Sequence, residues 1–161
     1  MTNKARWKTI GTFTAGLLSG VAVLGIVAWI AAPTLMLTTH ESRYSVDETC
    51  ERLRGAIEAN GWKCPAVRNM NDSMAKQSVA MGPQVRIVEL CRADYAKDVL
   101  ETNPEVSTMM PCAFGVYEKE GHVFVTGMNM GLMGRVFGGN IAAVMSEKVA
   151  ADENAILKCL E

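Results

Sequence analysis

An uncharged apolar run near the N-terminus constrains this chain more than any other feature. No charged residue occurs from Thr9 to Thr39, and residues 10–32 are almost wholly apolar. A helix needs about 20 apolar residues to cross the ~30 Å hydrocarbon core of a bilayer, and within lipid a helix satisfies its own backbone polar groups. The run therefore predicts one transmembrane helix over residues 10–32, with the lipid bilayer as its partner.

The charges that flank this run predict its orientation. Lys4, Arg6 and Lys8 precede it, and no acidic residue occurs before Glu41. By the positive-inside rule, residues 1–9 lie in the cytoplasm and the chain beyond the helix lies outside. In a bacterium, this describes a single-pass protein of the inner membrane with a periplasmic C-terminal domain.

A cleaved signal peptide is the alternative interpretation, because it shares the basic start. Signal peptides have an apolar region of about 7–15 residues followed by small residues at the cleavage site. The run here is longer, and Pro33 follows the small pair Ala31-Ala32, which disfavours cleavage. We therefore expect an uncleaved anchor, then a connector and first strand over residues 33–44, and then a periplasmic domain over residues 45–161.

The remainder of the chain is mildly acidic. Lys and Arg number 16 in the whole sequence and Asp and Glu 17, and three of the basic residues precede the apolar run. No basic patch or Lys/Arg run occurs, which argues against nucleic acid as a partner. G-x-S-x-G, H-E-x-x-H and phosphate-binding glycine loops are also missing, so the sequence does not favour an enzyme.

The apolar periodicity of the external part predicts an α+β domain. Ser45 and Glu48 form a capping box before an apolar helical face, and Asn60-Gly61 is a typical helix end, so we expect a helix over residues 46–59. The element order is β-α-β-β-α-β-β-α, a small mixed sheet with packed helices, preceded by the one transmembrane helix. The predicted strands cover 38–44, 62–67, 84–90, 112–117 and 122–126, and the other helices cover 93–101 and 140–160, with one helical turn within 69–78.

Short patterns in the second half of the chain resemble one bacterial family. Glu89-Leu90-Cys91 ends a predicted strand, Met110-Pro111-Cys112 opens a hairpin, and Gly121-His122-Val123 opens its second strand. These patterns resemble the domain-of-unknown-function-302 family, in which a cysteine ends the strand before a helix and a Pro-Cys pair opens a hairpin. The resemblance covers about residues 40–160 and implies a small α+β domain, often dimeric and often fused to an N-terminal signal or anchor. Here Arg92-Ala93 replaces the family's usual Asn-Pro, and the resemblance implies no particular activity.

All five cysteines follow the predicted anchor. An oxidising compartment permits disulfides, and an odd number leaves at least one cysteine without an intrachain partner. Cys91 and Cys112 are expected at the ends of adjacent strands, where their sulfurs could meet. They form either a structural disulfide or buried pair, or a redox-active or metal-binding pair.

Methionine is unusually frequent, with 11 residues. A glycine-rich stretch, residues 127–139, contains the spacing M-x-M-x-x-M and suggests exposed, mobile backbone. Thioether sulfurs bind soft ions such as Cu(I) and need no deprotonation, whereas the alternative is that methionine fills core gaps or adaptable interfaces. The candidate metal ligands are Cys91, Cys112, Met109, Met110, Met128, Met130 and Met133.

Two histidines are candidate cofactor ligands. Either His40 or His122 could ligate a haem iron together with a methionine. No C-x-x-C-H attachment motif occurs, so the haem would be non-covalent. The alternative for each is an ordinary surface histidine.

These features predict a non-enzymatic, membrane-tethered periplasmic accessory domain that uses soft sulfur ligands. Copper is the first cofactor hypothesis and non-covalent haem the second. One alternative is an interaction subunit of a membrane complex, or a homodimer, with the methionine-rich stretch as a contact surface. Another is a thiol-disulfide redox protein that uses Cys91 and Cys112.

Overall fold

The computed structural model describes residues 3–161, with the side chains of residues 3–18 and of residue 31 left outside the description. The chain divides into two compact units, Met1–Leu35 and Met36–Glu161. A first helix, α1, spans Asn3–Met36. Among the residues that the structure describes, no helix is both long enough and apolar enough to span a membrane. Part of the predicted segment 10–32 lies outside the described side chains, so the anchor stays a prediction.

The second unit is built on a five-stranded sheet with the strand order β1-β5-β4-β3-β2. The predicted α+β class is confirmed, but the sheet is antiparallel throughout and the prediction of a mixed sheet was wrong. Strands β3, β4 and β5 are sequential antiparallel neighbours, and β1 and β2 add antiparallel at the two edges. The strands are Leu37–Ser42 (β1), Val67–Asn69 (β2), Val85–Leu90 (β3), Cys112–Lys119 (β4) and His122–Met128 (β5).

Helices fill most of the connections between strands and form the C-terminus. The regular α-helices are Val46–Ala59 (α2), Met70–Ala75 (α3), Ala93–Leu100 (α4), Met130–Phe137 (α5), Gly139–Ile141 (α6) and Ala150–Leu157 (α7). A π-helical segment, Ala142–Val149, joins α6 to α7, and short 3₁₀ helices cover Pro104–Met109 and Lys158–Leu160.

Local signals account for the bounds of α2. The Ser45 hydroxyl accepts a hydrogen bond from the Glu48 backbone N–H at 3.3 Å, which satisfies one of the unpaired donors of the first turn. Glu48 does not complete a capping box, because its carboxylate accepts two hydrogen bonds from Arg52 at 3.0 and 3.1 Å. At the other end Gly61 takes a φ of +79°, a left-handed conformation that glycine adopts without steric cost.

One face of the sheet carries the core. Strand alternation directs Val88, Leu90, Phe114, Val116 and Val125 to that face, and each is at most 1% exposed. They join one cluster with buried residues of α2, the π-helical segment and α7. The opposite face of the sheet is half-buried and includes a Tyr117–Phe124 ring pair with centroids 5.6 Å apart.

Two segments differ from their predicted structure. Residues 62–67 are not a strand: Lys63 forms an isolated bridge to Cys91, and Pro65, which has no N–H to donate, precedes the start of β2 at Val67. Residues 127–139 are not an exposed loop. The Asn129 side chain accepts a hydrogen bond from the Leu132 backbone N–H at 3.0 Å and so caps α5.

Helix α5 packs closely against the π-helical segment. A Cβ placed on Gly134 would meet the Ser146 hydroxyl and would lie 2.9 Å from the Ser146 backbone nitrogen. The Ser146 hydroxyl in turn donates to the Gly131 carbonyl at 2.9 Å. The glycines of this segment therefore permit a close helix contact rather than mobility.

Candidate functional site

Cys91 and Cys112 lie at the ends of two paired strands. Leu90 faces Cys112 in the register of β3 and β4, and Cys91 is the next residue of the chain. Two backbone hydrogen bonds of 2.9 Å between Cys91 and Lys63 hold this end of β3 in place. Sheet pairing, rather than proximity in sequence, is what positions the two cysteines.

Both cysteines line one apolar pocket, which we call the cysteine pocket. It has about 330 Å³ of empty space, part of it open to solvent. Four of its lining residues carry sulfur: Cys91, Cys112, Met110 and Met145. The other lining residues are Trp62, Leu90, Arg92, Tyr95, Ala96, Pro111, Val144 and Val149.

A polar network fixes one wall of the cysteine pocket. The Trp62 indole N–H and an Arg92 Nη both donate to the same Asp152 oxygen, each at 3.0 Å. The Arg92 guanidinium lies 4.3 Å from the centroid of the Tyr95 ring, and that ring meets Trp62 edge-on at 5.7 Å. Trp62 is only 3% exposed, and contacts at both its ring and its N–H anchor it in this wall.

Burial decides the protonation of Cys112. Desolvation, with a smaller contribution from the Glu153 carboxyl, raises the pKa of the Cys112 thiol to about 12. The thiol is therefore protonated at neutral pH. Since the thiolate is both the nucleophile and the metal ligand, nucleophilic attack by Cys112 is disfavoured, and a metal ion must displace its proton.

The predicted methionine ligands lie in three places. Met110 lines the cysteine pocket, whereas Met109, Met128 and Met130 line a wider hollow of about 770 Å³, which we call the methionine groove. Cys112 lines both hollows. Met133 lies on α5 and lines neither of them. Six of the seven predicted metal ligands therefore line the cysteine pocket or the methionine groove, and Cys112 lines both.

No ready-made cluster of ionisable ligands accompanies these sulfurs. Within the described part of the chain, no group of three or more His, Cys, Asp or Glu side chains could hold a metal ion, and all five cysteines are free thiols. An ion held by Cys91 and Cys112 would therefore take its remaining ligands from thioethers. Met110 and Met145 are the thioethers that the cysteine pocket provides.

The two histidines lie apart from the sulfur residues. His40 pairs with Val125, so alternation along β5 puts His122 on the opposite face of the sheet from His40. Both are exposed, and His122 Nδ1 lies 2.7 Å from Glu41 Oε1 on the neighbouring strand. Neither histidine lines the cysteine pocket or the methionine groove. The haem hypothesis stays a prediction.

One acidic residue of interest was not singled out from the sequence. Glu153 of α7 is only 8% exposed, and burial raises the pKa of its carboxyl to about 8. The helical spacing of the sequence contained a signal for it, because Glu153 lies on the apolar helix face formed by Val149, Ile156 and Leu160. An acid at such a position is either paired in the core or directed into a pocket.

Comparisons with known proteins are consistent with this architecture. A family model described as "Domain of unknown function DUF302" matches residues 38–160, so the resemblance inferred from the sequence is confirmed. The crystal structure of an uncharacterized conserved DUF302 protein from Bacillus stearothermophilus is similar to this chain with a TM-score of 0.70. The two are 17% identical, and the alignment covers 78% of this chain and 98% of that one. No curated protein matches the sequence.

Proposed function

We propose that this chain, which belongs to the DUF302 family, is an accessory domain that binds a soft metal ion, Cu(I), in the cysteine pocket. One observation carries the proposal: Cys91 lines the same pocket as Met110 and Cys112 although it is distant from them in the sequence. Thiolate and thioether sulfurs are the ligands that Cu(I) prefers. The predicted anchor would concentrate the domain near membrane partners, which suits a periplasmic accessory role.

The binding step needs no oxidant or reductant. Cu(I) enters as Cu(I), two Cu–S bonds form to Cys91 and Cys112, and their thiol protons pass to solvent. Two thiolates and one Cu(I) leave a single net negative charge in an apolar pocket, which limits the electrostatic cost of burial.

The redox alternative is less well supported. A thiol-disulfide enzyme needs a low thiol pKa in its attacking cysteine, whereas burial raises the pKa of Cys112. Trapping with an alkylating reagent tests this directly, since a redox pair reacts quickly when reduced and not at all when oxidised. The interaction-subunit, homodimer and membrane-complex hypotheses are compatible with metal binding and stay predictions.

Competition with a colorimetric Cu(I) chelator tests the proposal. We expect the full-length chain to bind one Cu(I), and the double variant Cys91→Ser, Cys112→Ser to bind at least 100-fold more weakly. The matched control is Cys64→Ser, Cys159→Ser, which removes two other half-buried thiols and should leave the affinity within about threefold. Equal losses in the two variants, or no binding by the unmodified chain, would rule out this site.

Haem provides an independent check. Titration with haemin followed by visible absorption should give no Soret shift that depends on His40 or His122. A shift that is lost in His122→Ala would move the proposal from copper to haem.

A further inference from the structure

A second pocket surrounds the buried acid of α7. It has about 490 Å³ of empty space between β1, the β5–α5 junction and α7, and we call it the Glu153 pocket. Its lining residues are Thr38, Met128, Asn129, Met130, Gly131, Ala150, Glu153, Asn154 and Leu157. Glu153 is the only ionisable residue among these lining residues.

The Glu153 carboxyl lacks a protein partner. No hydrogen bond or ion pair joins Glu153 to another described residue, although the residue is only 8% exposed. In the described part of the chain, every fully enclosed side-chain nitrogen or oxygen has a hydrogen-bond partner. The Glu153 oxygens are therefore not enclosed by protein, and the Glu153 pocket is the space from which they are reached.

The surroundings of Glu153 favour a cation as the missing partner. Lining residues from β1 and from the start of α5 are uncharged, and the titratable group that β4 places near it is the Cys112 thiol, which is neutral at physiological pH. Desolvation is the cause that raises the pKa of Glu153 to about 8, so no neighbouring charge stabilises its ionised form. A cation in the pocket would stabilise the carboxylate and so favour its ionisation, whereas an anion would favour the protonated acid.

The walls restrict which cation fits. Met128, Met130 and Leu157 form an apolar lining that suits a short alkyl or aryl group, and the Thr38 hydroxyl adds a polar group at one side. With one carboxyl and no second acidic residue in the lining, the pocket lacks the ligand set of a hard divalent cation. An ammonium group with a small apolar substituent matches both the charge and the walls.

We propose that the Glu153 pocket binds a small organic ammonium ion, with the Glu153 carboxylate as its counter-ion. On binding, the carboxylic acid loses its proton to solvent and the carboxylate accepts hydrogen bonds from the ammonium N–H groups. No covalent bond forms. The Glu153 pocket is distinct from the cysteine pocket, because Cys91 does not line the first and Glu153 does not line the second, although the Glu153 carboxyl lies near enough to Cys112 to raise the pKa of that thiol.

Calorimetry with n-butylammonium chloride tests this proposal on the full-length chain. We expect saturable binding at pH 6.5 with release of about one proton per ligand, measured from the dependence of the heat on the ionisation enthalpy of the buffer. The affinity should rise about tenfold per pH unit up to pH 8 and then level off. n-Butanol, of the same shape but uncharged, should bind at least tenfold more weakly.

Two variants assign the effect to Glu153. Glu153→Gln keeps the shape of the side chain and should weaken n-butylammonium binding more than tenfold, with no proton release. Glu147→Gln removes an exposed acid from the preceding helical segment and should bind as the unmodified chain does. The double variant Cys91→Ser, Cys112→Ser should also bind n-butylammonium normally, which separates this site from the copper proposal.

Three results would overturn the inference. The first is that n-butanol binds as tightly as n-butylammonium, and the second is that Glu153→Gln leaves n-butylammonium binding unchanged. The third is that binding does not saturate at 10 mM ligand, because a dissociation constant of about 10 mM corresponds to only ~2.7 kcal/mol of affinity. Thermal unfolding of Glu153→Gln at pH 8 checks that the variant is folded. It should be at least as stable as the unmodified chain, because the glutamine has no ionised form to bury.

Discussion

The cysteine pocket and the methionine-glycine segment, residues 127–139, both concentrate sulfur, but they are built in opposite ways. The pocket collects Cys91, Met110 and Met145 from parts of the chain that are far apart in sequence. The segment places three methionines within six residues, yet Met128 ends β5 and the other two lie on the capped helix α5, with Met130 only 6% exposed. Close spacing of methionines in the sequence therefore does not by itself bring their side chains to one hollow, whereas the pairing of two strand ends brings Cys91 and Cys112 to the same pocket.

The physical reason lies in the contacts of α5. Its cap at Asn129 starts the helix immediately after β5, and its approach to Ser146 at Gly134 packs it against the C-terminal helical segment. Met130 then fills core space, the ordinary role of a flexible thioether. Such a residue is available to a ligand only on the sides that border the methionine groove and the Glu153 pocket.

Met130→Ala gives the largest effect expected in this comparison. Deleting a buried methionine side chain leaves a cavity, so we expect a loss of about 2–5 kcal/mol in the free energy of unfolding. Met133→Ala, at a half-buried position of the same helix, should cost less than half as much. The measurement is urea denaturation followed by Trp62 fluorescence, with Trp7 and Trp29 replaced by Phe in every variant. Equal and small losses would mean that the segment is not packed as core.

Gly134→Ala tests the helix contact itself. The new methyl group would collide with Ser146, so we expect a loss of about 1–3 kcal/mol in unfolding free energy. Gly131→Ala is the matched control, since its Cβ would meet only the Asn129 side-chain oxygen at an ordinary 3.4 Å. Replacing glycine by alanine there should be neutral or stabilise the helix by up to about 1 kcal/mol. If both variants were stabilised, the close approach of α5 would be refuted.

The same contrast explains which features were predictable from the sequence. Helix α2 and the β4–β5 hairpin depend on signals within a few residues, Ser45 and Asn60-Gly61 for the helix and Gly121 for the turn, and these elements formed where predicted. Helix α5 was missed because its glycines suggest a loop when the contact with Ser146 is unknown. The cysteine pocket and the placement of the Glu153 side chain at the Glu153 pocket depend on contacts between residues that are distant in the chain. No local sequence pattern specifies such contacts.

The pH dependence of Cu(I) binding distinguishes the thiols of the cysteine pocket from the thioethers of the methionine groove. Because the pKa of Cys112 is raised to about 12, its thiol must release a proton to solvent when Cu(I) binds at any pH from 6 to 9. Fewer protons compete as the pH rises, so this residue alone should increase the affinity about tenfold per pH unit. In Cys112→Ser, Cu(I) binding should release one proton fewer, so the affinity should rise less steeply with pH. A thioether-only site in the methionine groove would instead give an affinity that does not change with pH.

The smallest expected effect distinguishes the two sets of thioethers. Met110→Leu conserves volume but removes a sulfur from the cysteine pocket, whereas Met128→Leu makes the same change in the methionine groove. A thioether adds a weak third ligand to two thiolates, so we expect Met110→Leu to lower the Cu(I) affinity about fivefold, or ~1 kcal/mol. Met128→Leu should leave it unchanged. The reverse result, a loss with Met128→Leu alone, would relocate the ion to the other side of Cys112. Cys112 borders both hollows, so its own replacement cannot tell them apart. The methionine whose replacement lowers the Cu(I) affinity shows in which of the two hollows the ion lies.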